Sequence, residues 1–132
     1  MHRDELARRI RAMGEVIHAG EHATAVQLGG DGPPLVALLS DVGGAEWVEL
    51  RLWAAAATAV PLQVVLARNA RLAYGAFCLV EGEIYLRAAL ALATLDEGAL
   101  VRAVDALVIE SFQLGDLDDE PAAIRTLFGH LA

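Results

Sequence analysis

Residues Asn69–Leu114 read NARLAYGAFCLVEGEIYLRAALALATLDEGALVRAVDALVIESFQL. The run opens on the end of a helix, passes through two strands joined by a tight turn, and closes on a long amphipathic helix. Tyr74–Val80 is the first strand, Glu81-Gly82 the turn and Glu83–Ala93 the second strand. Successive strand side chains alternate, so Ile84, Leu86, Ala88, Leu90 and Leu92 face one way. Glu83, Tyr85, Arg87, Ala89, Ala91 and Ala93 face the other. Thr94-Leu95-Asp96-Glu97 has capping-box spacing, with Thr94 as N-cap and Glu97 three residues on. The helix predicted over 95–113 gathers Leu100, Val101, Val104, Leu107, Val108 and Phe112 on one side, and Gly115 is its expected stop.

Upstream, Leu6, Ile10, Met13 and Ile17 step by four, three and four, which predicts a helix over 3–19 that stops at Gly20. Asp4, Glu5 and Glu15 dilute its basic side, which argues against a membrane-surface helix. Strands follow at His22–Leu28, at Pro34–Val42 and from Glu46 to about Ala57, separated by GGDGPP (29–34) and Gly43-Gly44. Short turns between three strands predict an antiparallel meander. On the third strand Val48, Leu50 and Leu52 point one way and Trp47, Glu49, Arg51 and Trp53 the other. From Pro61 a helix over 61–72 places Leu62, Val65, Leu66, Asn69 and Leu72 on one face. Beyond Gly115, Asp116, Asp118, Asp119 and Glu120 form an acidic link, and Pro121 starts a short helix with Ile124, Leu127, Phe128 and Leu131.

The expected architecture is a single α+β domain over 1–132. It has one antiparallel sheet of about five strands with helices packed on one face, in the order α-β-β-β-α-β-β-α and a further short helix.

Hydrophobic residues make up 56% of the chain and charged ones 21%, which excludes general disorder. That is more apolar side chain than one small core needs, so another subunit is expected to cover some of it. Net charge is −8, and all ten basic residues are Arg. An acidic surface opposes phosphate backbones, so nucleic acid is not an expected partner. The single cysteine, Cys78, excludes an intramolecular disulfide and suits a reducing compartment. The N-terminal residues lack the apolar run of a secretory signal, and Leu52–Leu66 is broken by Thr58, Pro61 and Gln63 before it reaches membrane length. A cytoplasmic protein without membrane contact is expected.

Residues that carry chemistry are sparse. His18 and His22 have helical ligand spacing, but Gly20 lies between them and no third ligand is near. Cys78 alternates with Ala76 and Val80 and reads as a small, inert strand residue. Ser40 and Ser111 lack a nucleophile elbow, and Glu81 and Glu83 flank an exposed turn. GGDGPP leads into a strand and lacks the GK[ST] ending of a phosphate loop. No catalytic residue, metal or cofactor is expected, and the chain does not read as an enzyme.

The 62–114 stretch resembles the YbjN-type family of bacterial proteins, whose fold is similar to the class I (CesT-like) chaperones of type III secretion. The resemblance is carried by Leu66-Ala67-Arg68-Asn69-Ala70-Arg71-Leu72 at a helix end and by the aromatic strand Gly75-Ala76-Phe77-Cys78-Leu79. It is also carried by Ile84-Tyr85-Leu86-Arg87-Ala88-Ala89-Leu90-Ala91-Leu92 and by the Leu95-Asp96 helix start. It implies an α+β homodimer that holds protein segments or regulates partners, without catalysis. The residue pattern adds a candidate surface. Trp47, Arg51, Trp53, Tyr85 and Arg87 share mixed aromatic and charged faces of the kind used for a partner or a dimer. The two Trp residues could equally serve to cover the sheet within one chain. The alternative function is a sensor that binds a small apolar ligand between sheet and helices.

Overall fold

The computed structural model describes residues 1–29 and 31–119, with side chains through Ser111. The elements are α1 (Arg3–Arg11), β1 (Gly14–Ala19), β2 (Ala23–Leu28), β3 (Pro34–Val42), β4 (Ala45–Ala56), α2 (Leu62–Asn69), β5 (Ala76–Val80), β6 (Glu83–Ala91), a 3-10 turn (Leu92–Thr94) and α3 (Glu97–Asp119). The strands form one antiparallel sheet in the order β1-β2-β3-β4-β6-β5. Strands β1 to β4 are a meander. Helix α2 then carries the chain to the far edge, β5 takes the outer position, and β6 returns between β5 and β4.

All three helices bury side chains in the same cluster. Leu6 and Ile10 of α1, Val64 and Val65 of α2, and Leu100 and Leu107 of α3 meet Leu35, Val48, Leu50, Leu52, Ile84 and Leu86 of the sheet. The helices therefore cover one face, which is the expected α+β architecture. The alternation on β4 and β6 follows the sequence pattern, with Val48, Leu50, Leu52, Ile84 and Leu86 inward. Helix α1 starts where His2 Nδ1 accepts the Asp4 N–H at 3.1 Å. Asp4 and Glu5 in its first turn and Arg8, Arg9 and Arg11 in its last suit the helix dipole. Arg9 joins α1 to the start of α3 through Glu97 at 2.7 Å, and Arg68 joins α2 to α3 through Glu110 at 3.0 Å.

Several boundaries differ from expectation: α2 is Leu62–Asn69 in place of a helix over 61–72, β5 begins at Ala76 and not Tyr74, β6 ends at Ala91 and not Ala93, and three larger differences follow. The N-terminal helix ends at Arg11, and Gly14–Ala19 forms a sixth strand in place of the last turns of a helix over 3–19. Gly14 lies so close to the Gln27 carbonyl of β2 that any side chain would collide with it, and Val16 and Ile17 favour the extended form. Helix α3 is capped by Asp96, whose Oδ1 accepts the Ala99 N–H at 2.7 Å, whereas Thr94 belongs to the 3-10 turn and donates to the Ala91 carbonyl. Gly115 does not stop α3, which continues to Asp119. One glycine costs a helix only about 1 kcal/mol, and no proline follows until Pro121. Hence Asp116, Asp118 and Asp119 are helical and not a link. The predicted helix from Pro121 lies outside the described residues.

Candidate functional site: the helix-free face of the sheet

Strand register decides what the second face displays. Arg51 of β4 pairs with Val36 on one side and directly with Arg87 of β6 on the other. One step along the strands, Trp53 pairs with Tyr85, which in turn pairs with Cys78 of β5. In the opposite direction Glu49 pairs with Leu38 and Ala89, and Trp47 with Ser40 and Ala91. Trp47, Arg51, Trp53, Tyr85 and Arg87 are thus brought together on one continuous surface, and no described helix packs on it.

Two arginines directly opposite each other on adjacent strands repel. Glu49 offsets this. Its carboxylate accepts from Arg51 Nε at 3.1 Å and Nη2 at 3.3 Å, and Oε1 also accepts from Arg87 Nε. Burial pushes the Glu49 carboxyl up, but the hydrogen bonds and charges of Arg51 and Arg87 outweigh it and hold it below the usual carboxylate range. Farther along, the Trp53 indole N–H donates to Glu83 Oε2 at 2.8 Å. The Cys78 thiol is pushed up by burial, against the pull of Arg51 and Arg87, which disfavours a reactive thiolate.

Both edges of the sheet are blunted. The β1–β2 register shifts between Val16 and His18, a bulge that bends an outer strand away from pairing. At the other edge, the Asn69 side chain donates to the Phe77 carbonyl at 3.1 Å and accepts the Phe77 N–H at 2.6 Å. One amide on α2 thereby occupies backbone groups that an incoming strand would need.

Next to Asn69 lies an apolar patch. Leu62, Leu66 and Leu79 are 49%, 67% and 55% exposed. They border a recess of about 200 Å³ with Val65, Phe77, Cys78 and Ile84. Sequence periodicity placed Leu62, Val65 and Leu66 on one face of this helix, but the core takes Val65 with Val64 and leaves Leu62 and Leu66 outside. All four are apolar, so the pattern did not separate the two sides of α2.

Other candidate residues are dispersed. His18 is on β1 and His22 in the turn after it, so the helical spacing between them does not exist. Ser111 Oγ donates to the Val108 carbonyl of its own helix at 3.0 Å. Among the described residues no group of three His, Cys, Asp or Glu is placed to hold a metal ion, and no helix is long and apolar enough to cross a membrane.

No family model matches the sequence, and no curated protein matches it. Solved structures do. A chain of the HopA1–SchA chaperone–effector complex aligns with a TM-score of 0.61 at 17% identity, covering 82% of this chain and 86% of that one. A chain of the ExsC–ExsE complex aligns with a TM-score of 0.63 at 12% identity, covering 82% and 89%. The chain has the CesT-like fold of type III secretion chaperones, as the resemblance implied. At these identities the likeness is one of fold.

Proposed function

We propose that this chain is a non-enzymatic protein-interaction module, chaperone-like or regulatory, that works in the cytoplasm as a homodimer and binds a protein partner on the helix-free face of its sheet. The observation that carries this reading is the surface holding Trp47, Arg51, Trp53, Tyr85 and Arg87 on adjacent central strands. Large aromatics and arginines in one uncovered patch are the composition of binding hot spots. Because the bulge on β1 and the Asn69 clamp on β5 oppose strand addition, a partner is expected to use a face and not an edge. The shared fold with a chain of a chaperone–effector complex supports a protein partner. A regulatory role is what the YbjN-type resemblance adds.

The homodimer reading is supported by the patch of Leu62, Leu66 and Leu79. A two-fold contact sets such a patch against its own copy, so each apolar side chain finds an apolar neighbour. The apolar-ligand alternative fares less well. The recess beside α2 holds about 200 Å³ and one lined by Met13, Leu28, Val101, Val104 and Val108 about 320 Å³, below or at the lower end of the roughly 300–1,000 Å³ of ordinary ligand pockets.

Pull-down from lysate of the source organism, with the full chain and its Trp47→Ala/Trp53→Ala double variant as baits, tests the partner surface. A protein retained by the parent and lost by the folded variant is the expected result. If the parent retains nothing, or both baits retain the same proteins, the face does not bind a partner.

A further inference from the structure

We infer that the helix-free face selects a segment of a partner protein that carries a carboxylate set among apolar side chains, and that Arg51 and Arg87 together read that carboxylate. The inference rests on the partner-binding reading of this face and names the partner's chemistry.

The cluster is unbalanced. Arg51 and Arg87 stand directly opposite each other, and Glu49 serves both. One unit of positive charge is left over at the centre of the sheet, in a chain whose net charge is −8. A guanidinium has five N–H donors in a planar fork, and Glu49 takes only part of the ten available. The donors are within reach of an incoming group, since the Arg51 and Arg87 side chains are 30% and 44% exposed.

Neighbouring acids do not cancel this charge. Glu83, held by the Trp53 indole, lies four residues from Arg87 along β6, or ~13 Å at the rise of an extended strand. Glu15 of β1, which pairs with Gln27 of β2, lies three strands from β4, or ~14 Å at the usual strand spacing. Among the described residues neither is ion-paired with Arg51 or Arg87, whose carboxylate partner is Glu49. The nearer surroundings are apolar or aromatic: Val36, Leu38, Ala89, Tyr85 and the two Trp residues. A surface that is positive at its centre and apolar around it complements the opposite pattern. A fully acidic segment would be repelled by the protein's own negative field at every charge, whereas a segment with one carboxylate is repelled once and gains the local positive charge.

Panning a random-peptide display library on the full chain tests this. The two Trp residues of the chain both lie on this face, so their fluorescence reports binding there. The expected binders carry Asp or Glu flanked by apolar residues, and synthetic copies of them shift that fluorescence. Arg87→Gln weakens such a peptide about ten-fold, the usual value of a charge-assisted hydrogen bond. Glu49→Gln acts in the opposite direction and tightens binding, because two arginines are then unopposed. A cluster that merely holds the strands together would lose binding in both variants, and weaker binding by folded Glu49→Gln overturns the inference. Enrichment of neutral or basic peptides that shift the fluorescence also overturns it, while leaving the face a protein-binding surface. No binder that shifts the fluorescence overturns both.

Discussion

Asn69 is the residue on which the outer strand depends. Its amide satisfies both backbone groups of Phe77. Asn69→Ala leaves that N–H and C=O without partners in a partly buried site, at a cost of about 1–3 kcal/mol, read as a lower denaturant midpoint with an unchanged slope. Glu49 makes a different, pH-dependent contribution. Its folded pKa is depressed, so its stabilisation is present above the unfolded value of about 4.3 and is lost as pH falls through the lower folded value. The stability difference between the parent and Glu49→Gln should therefore be full at pH 6 and shrink steadily below about pH 4. A difference that stays constant across that range would mean the carboxylate charge is not what Arg51 and Arg87 respond to.

At the scale of elements, legibility in the sequence followed from how one-sided each pattern is. Pro34–Val42 was read with its observed ends because an apolar run lies between a proline pair and a glycine pair. The inward and outward sets on β4 and β6 were also legible, since strict alternation leaves one choice. β1 was not. The Leu6-Ile10-Met13-Ile17 stripe runs across the break, so a helical period hides a strand, and only Gly14 marked the change. The buried side of α2 was hidden for the opposite reason, because both sides are apolar and the position of the sheet decides. The link from α2 to β5 turns on Gly75, whose φ is +76° and where a Cβ would sit 2.8 Å from the Arg87 carbonyl. Gly75→Ala should cost about 1–3 kcal/mol from backbone strain, with further loss from the clash, and should loosen β5 before the rest of the sheet. Denaturation followed by fluorescence and by far-ultraviolet circular dichroism should then give separate transitions, where the parent gives one.

For the whole molecule, the five candidate face residues could be chosen from alternation, but their proximity could not. Arg51 meets Arg87 because β6 inserts between β4 and β5, and that strand order is set by the path of α2, not by any local signal. The same path exposes Leu62, Leu66 and Leu79 at one margin. Light scattering should give twice the chain mass for the parent and a single chain mass for Leu66→Glu, a change at a site two-thirds exposed that the fold tolerates. A monomeric parent at micromolar concentration would remove the homodimer. The Asn69 clamp has a last consequence, in the exchange of backbone hydrogen for deuterium. Outer-strand amides ordinarily exchange within the dead time when they point to solvent. The Phe77 N–H points away from β6 yet is bonded to Asn69, so it should exchange as slowly as the interior amides of β6. Leu79, two residues on and directed to the same side, should exchange freely, and Asn69→Ala should make the two alike.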